Sequence, residues 1–423
     1  MAFYLLFNTF IFLVIIVWLF NRTRQESLKP WFFYTLFLKI GAGIVLGMLY
    51  IYVFQEGDTI SYHKAASWLS QYARKEPEKY FDFLVLMGKI PEGFSFFINE
   101  PRALFLAKIT SVIAIITNNN YWLISIYFSL FSFIGSWLVA NRIASFYPNY
   151  GFAALIGFLF FPSVVFWSSG LLKESIAMGC IGLYVYIFIP LFRDQKMNIV
   201  QGFVFIISAI FLWLVKYYYA GILFSVTFAL FISKIIISNP RFTFTKNKPV
   251  YSIFLTVFII LSLGISFLHP NLNPFNIFSI LEQNHFQMLA ISDPGNTVRF
   301  INIGQGFTYF LINIPVSMIG GLFLPLPWST HSFLGVLAGI LNLIILILAI
   351  AKIFSFRKAA DLESKLLASA LITYIFILAI LLTFTTPNFG TLERYKISYL
   401  PFFLLLIFHR NPILKALIPS DEA

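Results

Sequence analysis

The sequence contains little charge and almost no cysteine. Only 11% of its 423 residues are Asp, Glu, Lys or Arg, against about 25% in soluble domains, and 59% are hydrophobic. The lone Cys180 excludes an intrachain disulfide and a multi-cysteine metal site. No G-x-G-x-x-G or P-loop pattern is present, so no nucleotide-binding fold is indicated. The long uncharged runs predict one integral membrane domain, 1–423.

Apolar stretches of about 20 residues are long enough to span a membrane as helices. They predict an all-α transmembrane bundle with about eleven spans. These spans are expected at 2–20, 31–54, 121–146, 151–167, 171–192, 199–215, 217–238, 250–268, 332–354, 366–386 and 396–409. Two further apolar stretches, 103–117 and 306–327, are ambiguous, and counting them would give twelve or thirteen spans.

The distribution of basic residues predicts the orientation of the bundle. If the ambiguous stretches do not cross, the short basic connections all fall on one side, which the positive-inside rule assigns to the cytoplasm. Those residues are Arg22, Arg24, Lys29, Arg142, Arg193, Lys196, Arg241, Lys246, Lys248, Lys352, Arg357, Lys358, Lys365, Arg410 and Lys415. The N-terminus is then outside and the C-terminus cytoplasmic. The net charge of +12 is attributed to this bias and to contact with anionic membrane lipids, not to nucleic acid.

Two large loops are predicted on the outer side, 55–120 and 269–331. In the first, apolar residues recur at helical spacing on either side of Pro77, which predicts two short amphipathic helices at the membrane surface. Asp58 opens this loop in "QEGDTISYH", where a carboxylate can act as a base or hold a cation; a helix N-cap is the alternative. His63 is a candidate substrate ligand, with a structural role as the alternative.

Ionisable residues recur at the predicted outer ends of other spans. Burying one at a helix centre costs about 2.5–3.5 kcal/mol on insertion scales, so several on one side indicate a site. In "PSVVFWSSGLLKES", Lys173 is a candidate phosphate ligand and Glu174 its partner or a second acid; a plain hairpin is the alternative. In "WLVKYYYAGIL", Lys216 and Tyr218 suggest a phosphate and sugar platform, with an interfacial aromatic belt as the alternative.

The late segment "PNFGTLERYKISYLP" carries cations on the predicted outer side, where the positive-inside rule disfavours them. Arg394 and Lys396 therefore indicate an anionic partner such as phosphate, and Glu393 is a candidate substrate-binding residue beside them. Pairing of these cations with Glu393 is the alternative. Arg299, in "DPGNTVRF", is a further candidate cation.

These segments together resemble the GT-C class of bacterial membrane glycosyltransferases and the related polysaccharide polymerases. The resemblance covers most of the chain as a layout and rests on short motifs. It implies an inverting-type transferase on the outer face of the bacterial cytoplasmic membrane, with a polyprenyl-phosphate-linked sugar donor and a glycan, lipid or protein acceptor. It also implies that Asp58 is the base or the ligand of a divalent cation, Mg²⁺ or Mn²⁺, and that Lys173, Arg394 and Lys216 contact the lipid phosphate.

Two departures from the class pattern keep other functions open. Glu56 and Asp58 are separated by Gly57 where many members have adjacent acids, and the predicted N-out start is closer to the polymerases. A repeat-unit polymerase for surface polysaccharide is therefore one alternative. A flippase or transporter for a lipid-linked solute is another; its charges would lie deep in the membrane, and Lys39 and Lys108 are the candidates, although both could snorkel.

Overall fold

The computed structural model describes residues 2–23, 25–85, 88–239, 250–301, 306–354 and 362–417. Six of the basic residues behind the predicted orientation lie outside these ranges. They are Arg24, Arg241, Lys246, Lys248, Arg357 and Lys358.

The described residues form helices joined by turns, which confirms the predicted all-α class; the only strand-like pairing among them is an isolated bridge between Thr297 and Asn388. The α-helices are α1 Ala2–Arg22, α2 Phe32–Met48, α3 Asp58–Lys75, α4 Pro77–Val85, α5 Pro101–Thr117, α6 Tyr121–Phe146, α7 Gly151–Leu155, α8 Pro162–Trp167, α9 Lys173–Phe192, α10 Ile199–Ser238, α11 Val250–Ser266, α12 Ile277–Ile291, α13 Phe307–Phe323, α14 Phe333–Phe354, α15 Leu362–Thr385, α16 Phe389–Tyr395, α17 Leu400–Phe408 and α18 Pro412–Leu417.

Seven helical segments of the described chain are long and apolar enough to cross a membrane, fewer than the eleven predicted. They are Phe3–Arg22, Lys29–Phe54, Tyr121–Phe146, Lys173–Phe192, Ile199–Ser238, Phe333–Phe354 and Leu362–Thr385. Helices α11 and α13 are apolar but have only 17 residues each. A membrane protein is therefore supported, while the count of eleven spans is not confirmed.

Two predicted spans differ from the structure for identifiable reasons, and two others agree with it. The predicted spans 199–215 and 217–238 correspond to the two helices that make up α10, which meet at a kink at Lys216, where φ −147° and ψ 70° are not helical. The predicted span 151–167 is broken at Phe161, because Pro162 restricts the residue before it to an extended conformation. The predicted span 396–409 consists of a 3₁₀ turn and the nine-residue α17, which at 1.5 Å per residue is too short to cross alone.

The chain packs as two compact units. Unit 1 comprises Met1–Phe146, Phe158–Tyr186 and Ile199–Lys216. Unit 2 comprises Tyr147–Gly157, Ile187–Asn198 and Tyr217–Ala423.

Within unit 1, the first loop has the two helices expected from its periodicity. Helix α3 ends just before Glu76, and Pro77 opens α4, as predicted. Helix α3 packs against α5 around a cluster of buried apolar residues. This cluster consists of Ala65, Leu69, Tyr80, Phe83, Phe94 and Ala107.

Two helices of unit 1, α6 and α9, approach each other through glycines. A Cβ built on Gly135 would lie 2.3 Å from the carbonyl oxygen of Gly179, and one built on Gly182 would lie 2.3 Å from the backbone of Gly135. Only glycine, which has no Cβ, allows the two helix backbones to come this close. Small residues permit this kind of close packing between membrane helices.

Within unit 2, α13 packs along α15, and α17 packs against α7 and α14. The hydroxyl of Tyr399 donates to the carbonyl of Gly321 at 2.6 Å, and that of Tyr374 donates to the carbonyl of Ser398 at 2.9 Å. These bonds fix the polar turn between α16 and α17 among apolar helices.

Candidate functional site

In unit 1, one face of α3 carries two polar residues. The helix begins at Asp58 directly after Gly57, so Asp58 is the first helical residue and Gly57 holds the cap position. A carboxylate in the first turn interacts favourably with the positive end of the helix dipole. Tyr62 follows four residues later and therefore lies on the same face, where its side chain is buried.

The turn before α9 is shaped for close packing. Gly170 has φ +70° and donates its N–H to Ser129 Oγ at 2.9 Å. A Cβ at this position would lie 3.1 Å from the Leu46 side chain, which would have to shift slightly, and the positive φ favours glycine. The turn delivers Lys173 and Glu174 as the first two residues of α9.

Lys173 connects α9 to α3. Its Nζ lies 5.4 Å from the centre of the Tyr62 ring, which is within range of a cation–π interaction. Tyr62 is one turn from Asp58 on α3, and Glu174 follows Lys173 on α9. The contact between Lys173 and Tyr62 therefore places these four residues in one part of unit 1.

Glu174 in turn connects α9 to the break in α10. Its Oε1 lies 2.9 Å from Lys216 Nζ, and both side chains are only 2% exposed. Removing two charges from water is costly, and close pairing offsets that cost. We call Asp58, Tyr62, Lys173, Glu174 and Lys216 the charged group of unit 1; it brings together four of the site residues expected from the sequence.

Lys39 is a buried cation of unit 1 that was not assigned to a site by sequence reasoning. Its side chain does not snorkel: the residue is 3% exposed, and Nζ donates to Ser168 Oγ at 2.5 Å. Ser168 also donates to the carbonyl of Val164. The available signal was the single lysine inside the apolar run of α2, but the sequence alone could not show that it faces protein.

In unit 2, Tyr218 and Arg394 lie around Tyr395. The Tyr218 and Tyr395 rings are 6.4 Å apart, and the Arg394 guanidinium lies 5.5 Å from the Tyr395 ring centre. The hydroxyl of Tyr219 donates to the Tyr395 carbonyl at 3.0 Å, which fixes this arrangement. We call Tyr218, Tyr219, Arg394 and Tyr395 the aromatic group of unit 2.

Glu393 and Lys396 form a second buried ion pair in unit 2. Lys396 Nζ lies 2.6 Å from Glu393 Oε1 and 2.5 Å from the Leu324 carbonyl. Asn342 Nδ2 donates to the same Glu393 oxygen at 2.7 Å. Lys396 is 0% exposed, so for this cation the structure has the pairing with Glu393 that the sequence left as an alternative.

The two remaining candidates lie apart from these groups within their own units. Arg299 is exposed on the segment of unit 2 where the N–H of Val298 donates to the carbonyl of Pro387 at 2.9 Å. In unit 1, the ring of half-buried His63 lies 2.9 Å from the carbonyl of Asn119 and packs edge-on against Tyr121. Burial lowers the pKa of His63, although the hydrogen bond to Asn119 acts in the opposite direction.

The divalent cation expected at Asp58 stays a prediction. Among the residues that the structure describes, no three His, Cys, Asp or Glu side chains stand close enough to hold a metal ion. Mg²⁺ and Mn²⁺ favour several oxygen ligands, and Asp58 would supply the carboxylate of one residue.

No family model, curated protein or solved structure matches this chain.

Proposed function

We propose that this chain is an integral membrane glycosyltransferase that moves a sugar from a polyprenyl-phosphate-linked donor to an acceptor on the outer face of a bacterial cytoplasmic membrane. Its products would be surface polysaccharides or glycoconjugates. The observation that carries the proposal is the position of Lys173 over Tyr62, one helical turn from Asp58. Asp58 as the base, Tyr62 as the aromatic ring and Lys173 as the cation thus lie near the starts of α3 and α9, in a chain rich in apolar helices.

The proposed reaction uses this arrangement directly. Asp58 takes the proton from the acceptor hydroxyl as the hydroxyl oxygen attacks the anomeric carbon of the donor. The bond between that carbon and the phosphate oxygen breaks, and the leaving phosphate gains negative charge. Lys173 stabilises that charge as it develops.

Glu174 and Lys216 have a positioning role in this proposal. The Glu174 carboxylate is engaged by Lys216, so it is poorly placed to exchange a proton with substrate. The pair holds the first turn of α9 against the break in α10. It thereby fixes the backbone from which Lys173 reaches Tyr62.

Within unit 2, Arg394 and Tyr218 are proposed to bind substrate. Arg394 presents a planar cation suited to phosphate, and Tyr218 presents a ring suited to a sugar face. Glu393 and Lys396 neutralise each other inside the protein and hold α16 in place. Arg299, on an exposed segment, is proposed to contact the anionic part of a substrate.

The decisive experiment compares carboxylates in the purified full-length protein. Asp58→Asn keeps the size of the side chain but cannot accept the proton, so transfer of radiolabelled sugar from a panel of polyprenyl-phosphate hexoses should be abolished. Asp82→Asn is the matched control, because Asp82 is an exposed carboxylate on the neighbouring α4. Full activity in Asp58→Asn would remove Asp58 from the chemistry, and absence of any transferred sugar with the unmodified protein would reject the transferase.

A transporter of lipid-linked solute is the second candidate, and buried ionisable residues favour it. Lys39, Glu174 and Lys216 are all buried, and each lies in a helical segment long enough to span a membrane. Charges in such positions often mark solute pathways. Reconstituted vesicles separate the two: a transporter moves the labelled lipid between leaflets without a covalent product, whereas a transferase gives a product, which for a polymerase would be a ladder of repeat units.

A further inference from the structure

A polar pocket of about 120 Å³ opens in unit 1 where α1 ends. Its lining residues are Arg22, Thr23, Glu26, Leu138, Asn141, Arg142 and Tyr186. The volume is far larger than the roughly 15 Å³ that one water requires. Tyr186 lies thirteen residues beyond Lys173 on α9, or about 20 Å at 1.5 Å per residue, so this pocket is separate from the charged group.

Arg142 is the most informative residue of the pocket. Its guanidinium lies 4.3 Å from the Tyr186 ring centre and 5.4 Å from the Phe146 ring centre, so the rings orient the planar group. Its Nε is buried and has no hydrogen-bond partner among the described residues. Arg193, in contrast, is paired with Glu363 at 3.0 Å. An arginine that stacks on aromatic rings and forms no ion pair within the described chain suits an external anion.

Asn141 is a second residue of the pocket with a buried polar atom that lacks a hydrogen-bond partner in the described chain. Its Nδ2 donates to the Trp137 carbonyl at 2.9 Å, while its buried Oδ1 has no partner within the described chain. Leaving a buried acceptor unsatisfied costs about 1–3 kcal/mol. A ligand with a hydroxyl donor would satisfy this oxygen.

The net charge of the pocket lining indicates the charge of its ligand. Arg22 and Arg142 contribute two positive charges and Glu26 one negative charge, so the lining favours a singly charged anion. Thr23 contributes little, because its hydroxyl already donates to the Leu19 carbonyl and accepts from Trp137 Nε1. These bonds attach the end of α1 to α6 and keep the pocket walls in place.

We infer that this pocket binds a phosphate group that carries a neighbouring hydroxyl. Arg22 and Arg142 would hold the phosphate oxygens through charge-assisted hydrogen bonds, and Asn141 Oδ1 would accept from the hydroxyl. The headgroup of phosphatidylglycerol and free dihydrogen phosphate, both singly charged, share this chemistry. The positive-inside pattern predicts that Arg22 and Arg142 lie on the cytoplasmic side, where anionic headgroups are abundant. The inference is independent of the proposed transferase.

Two probes distinguish the sources in the full-length protein purified in an uncharged detergent. Native mass spectrometry measures retention of phosphatidylglycerol against neutral diacylglycerol, and titration calorimetry measures binding of inorganic phosphate. Binding of inorganic phosphate identifies the phosphate alone as sufficient, whereas retention of phosphatidylglycerol alone identifies the lipid headgroup. Either result supports the pocket if it depends on Arg142.

Matched variants test that dependence. Arg142→Gln should weaken binding about tenfold or more, because hydrogen bonds to a charged group are lost. Arg193→Gln removes the same charge from a paired arginine and should leave binding unchanged. Glu26→Gln removes the negative charge from the pocket and should strengthen binding, which provides a test if Arg142→Gln does not fold. Binding of neither probe, equal losses in the two arginine variants, or weaker binding in Glu26→Gln would overturn the inference.

Discussion

The Nζ of Lys216 lies 2.9 Å from Oε1 of Glu174, in a pair whose side chains are 2% exposed. Lys216 stands at the break in α10 and Glu174 in the first turn of α9. In the sequence, Glu174 and Lys216 each look like an ordinary charged residue at a membrane interface. In the structure, their side chains form one buried ion pair.

Breaking this pair should be costly, and removing both members should be less so. Glu174→Gln or Lys216→Met alone leaves one buried charge uncompensated, so each should lower the free energy of unfolding by about 3–5 kcal/mol. The double variant leaves no charge and should lose less than the sum of the single losses. Unfolding by SDS titration in mixed micelles measures all three; losses that simply add would mean that the residues are not coupled.

Substitution of Lys173 tests its role toward phosphate. If Lys173 stabilises the leaving phosphate, Lys173→Gln should lower kcat for sugar transfer by about a hundredfold. Lys173→Arg keeps a cation able to lie over Tyr62 and should restore part of the rate. Lys89→Gln is the control, since Lys89 is exposed. Equal rates in Lys173→Gln and Lys89→Gln would show that Lys173 does not act in the reaction.

Acidification should destabilise the protein in part through His63. Burial lowers the pKa of His63, so the folded state holds the neutral ring and the unfolded state binds a proton more readily. His63 therefore contributes stability that is present above its unfolded pKa, about 6.5, and that is lost as the pH falls below it.

The measurement is the loss of Tm between pH 7.5 and pH 5.5. This loss should be smaller in His63→Gln than in the unmodified protein, because glutamine can still donate to the Asn119 carbonyl but does not titrate. His331→Gln provides a comparison at an exposed position. An unchanged loss of Tm in His63→Gln would show that His63 does not contribute to the pH dependence.

Accessibility of introduced cysteines tests the predicted orientation. The native Cys180 is buried, so a membrane-impermeant thiol reagent should report mainly on added residues. Glu78→Cys, in the first large loop, should be labelled from outside, and Lys196→Cys only after the membrane is opened; both positions are exposed. Labelling of both from the same side would exclude the proposed arrangement of the spans.

The fold class followed from the sequence because uncharged runs of about 20 residues have few alternatives to a membrane helix. The pair α3 and α4 was also predictable, since helical periodicity and Pro77 are local signals. The span count was less predictable. Local hydropathy does not show that the stretch after Lys396 becomes a nine-residue helix.

The same distinction, between local sequence signals and features that depend on helix packing, applies to the candidate site. The ionisable residues at apolar boundaries could be identified from the amino-acid sequence, because such residues are rare and costly there. Their partners depend on how the helices pack: Glu174 pairs with Lys216, Lys396 with Glu393 and Asn342, Lys173 lies over Tyr62, and Lys39 bonds to Ser168. Most of these pairs join residues far apart in sequence, and helix packing, which no local pattern encodes, sets which side chains meet.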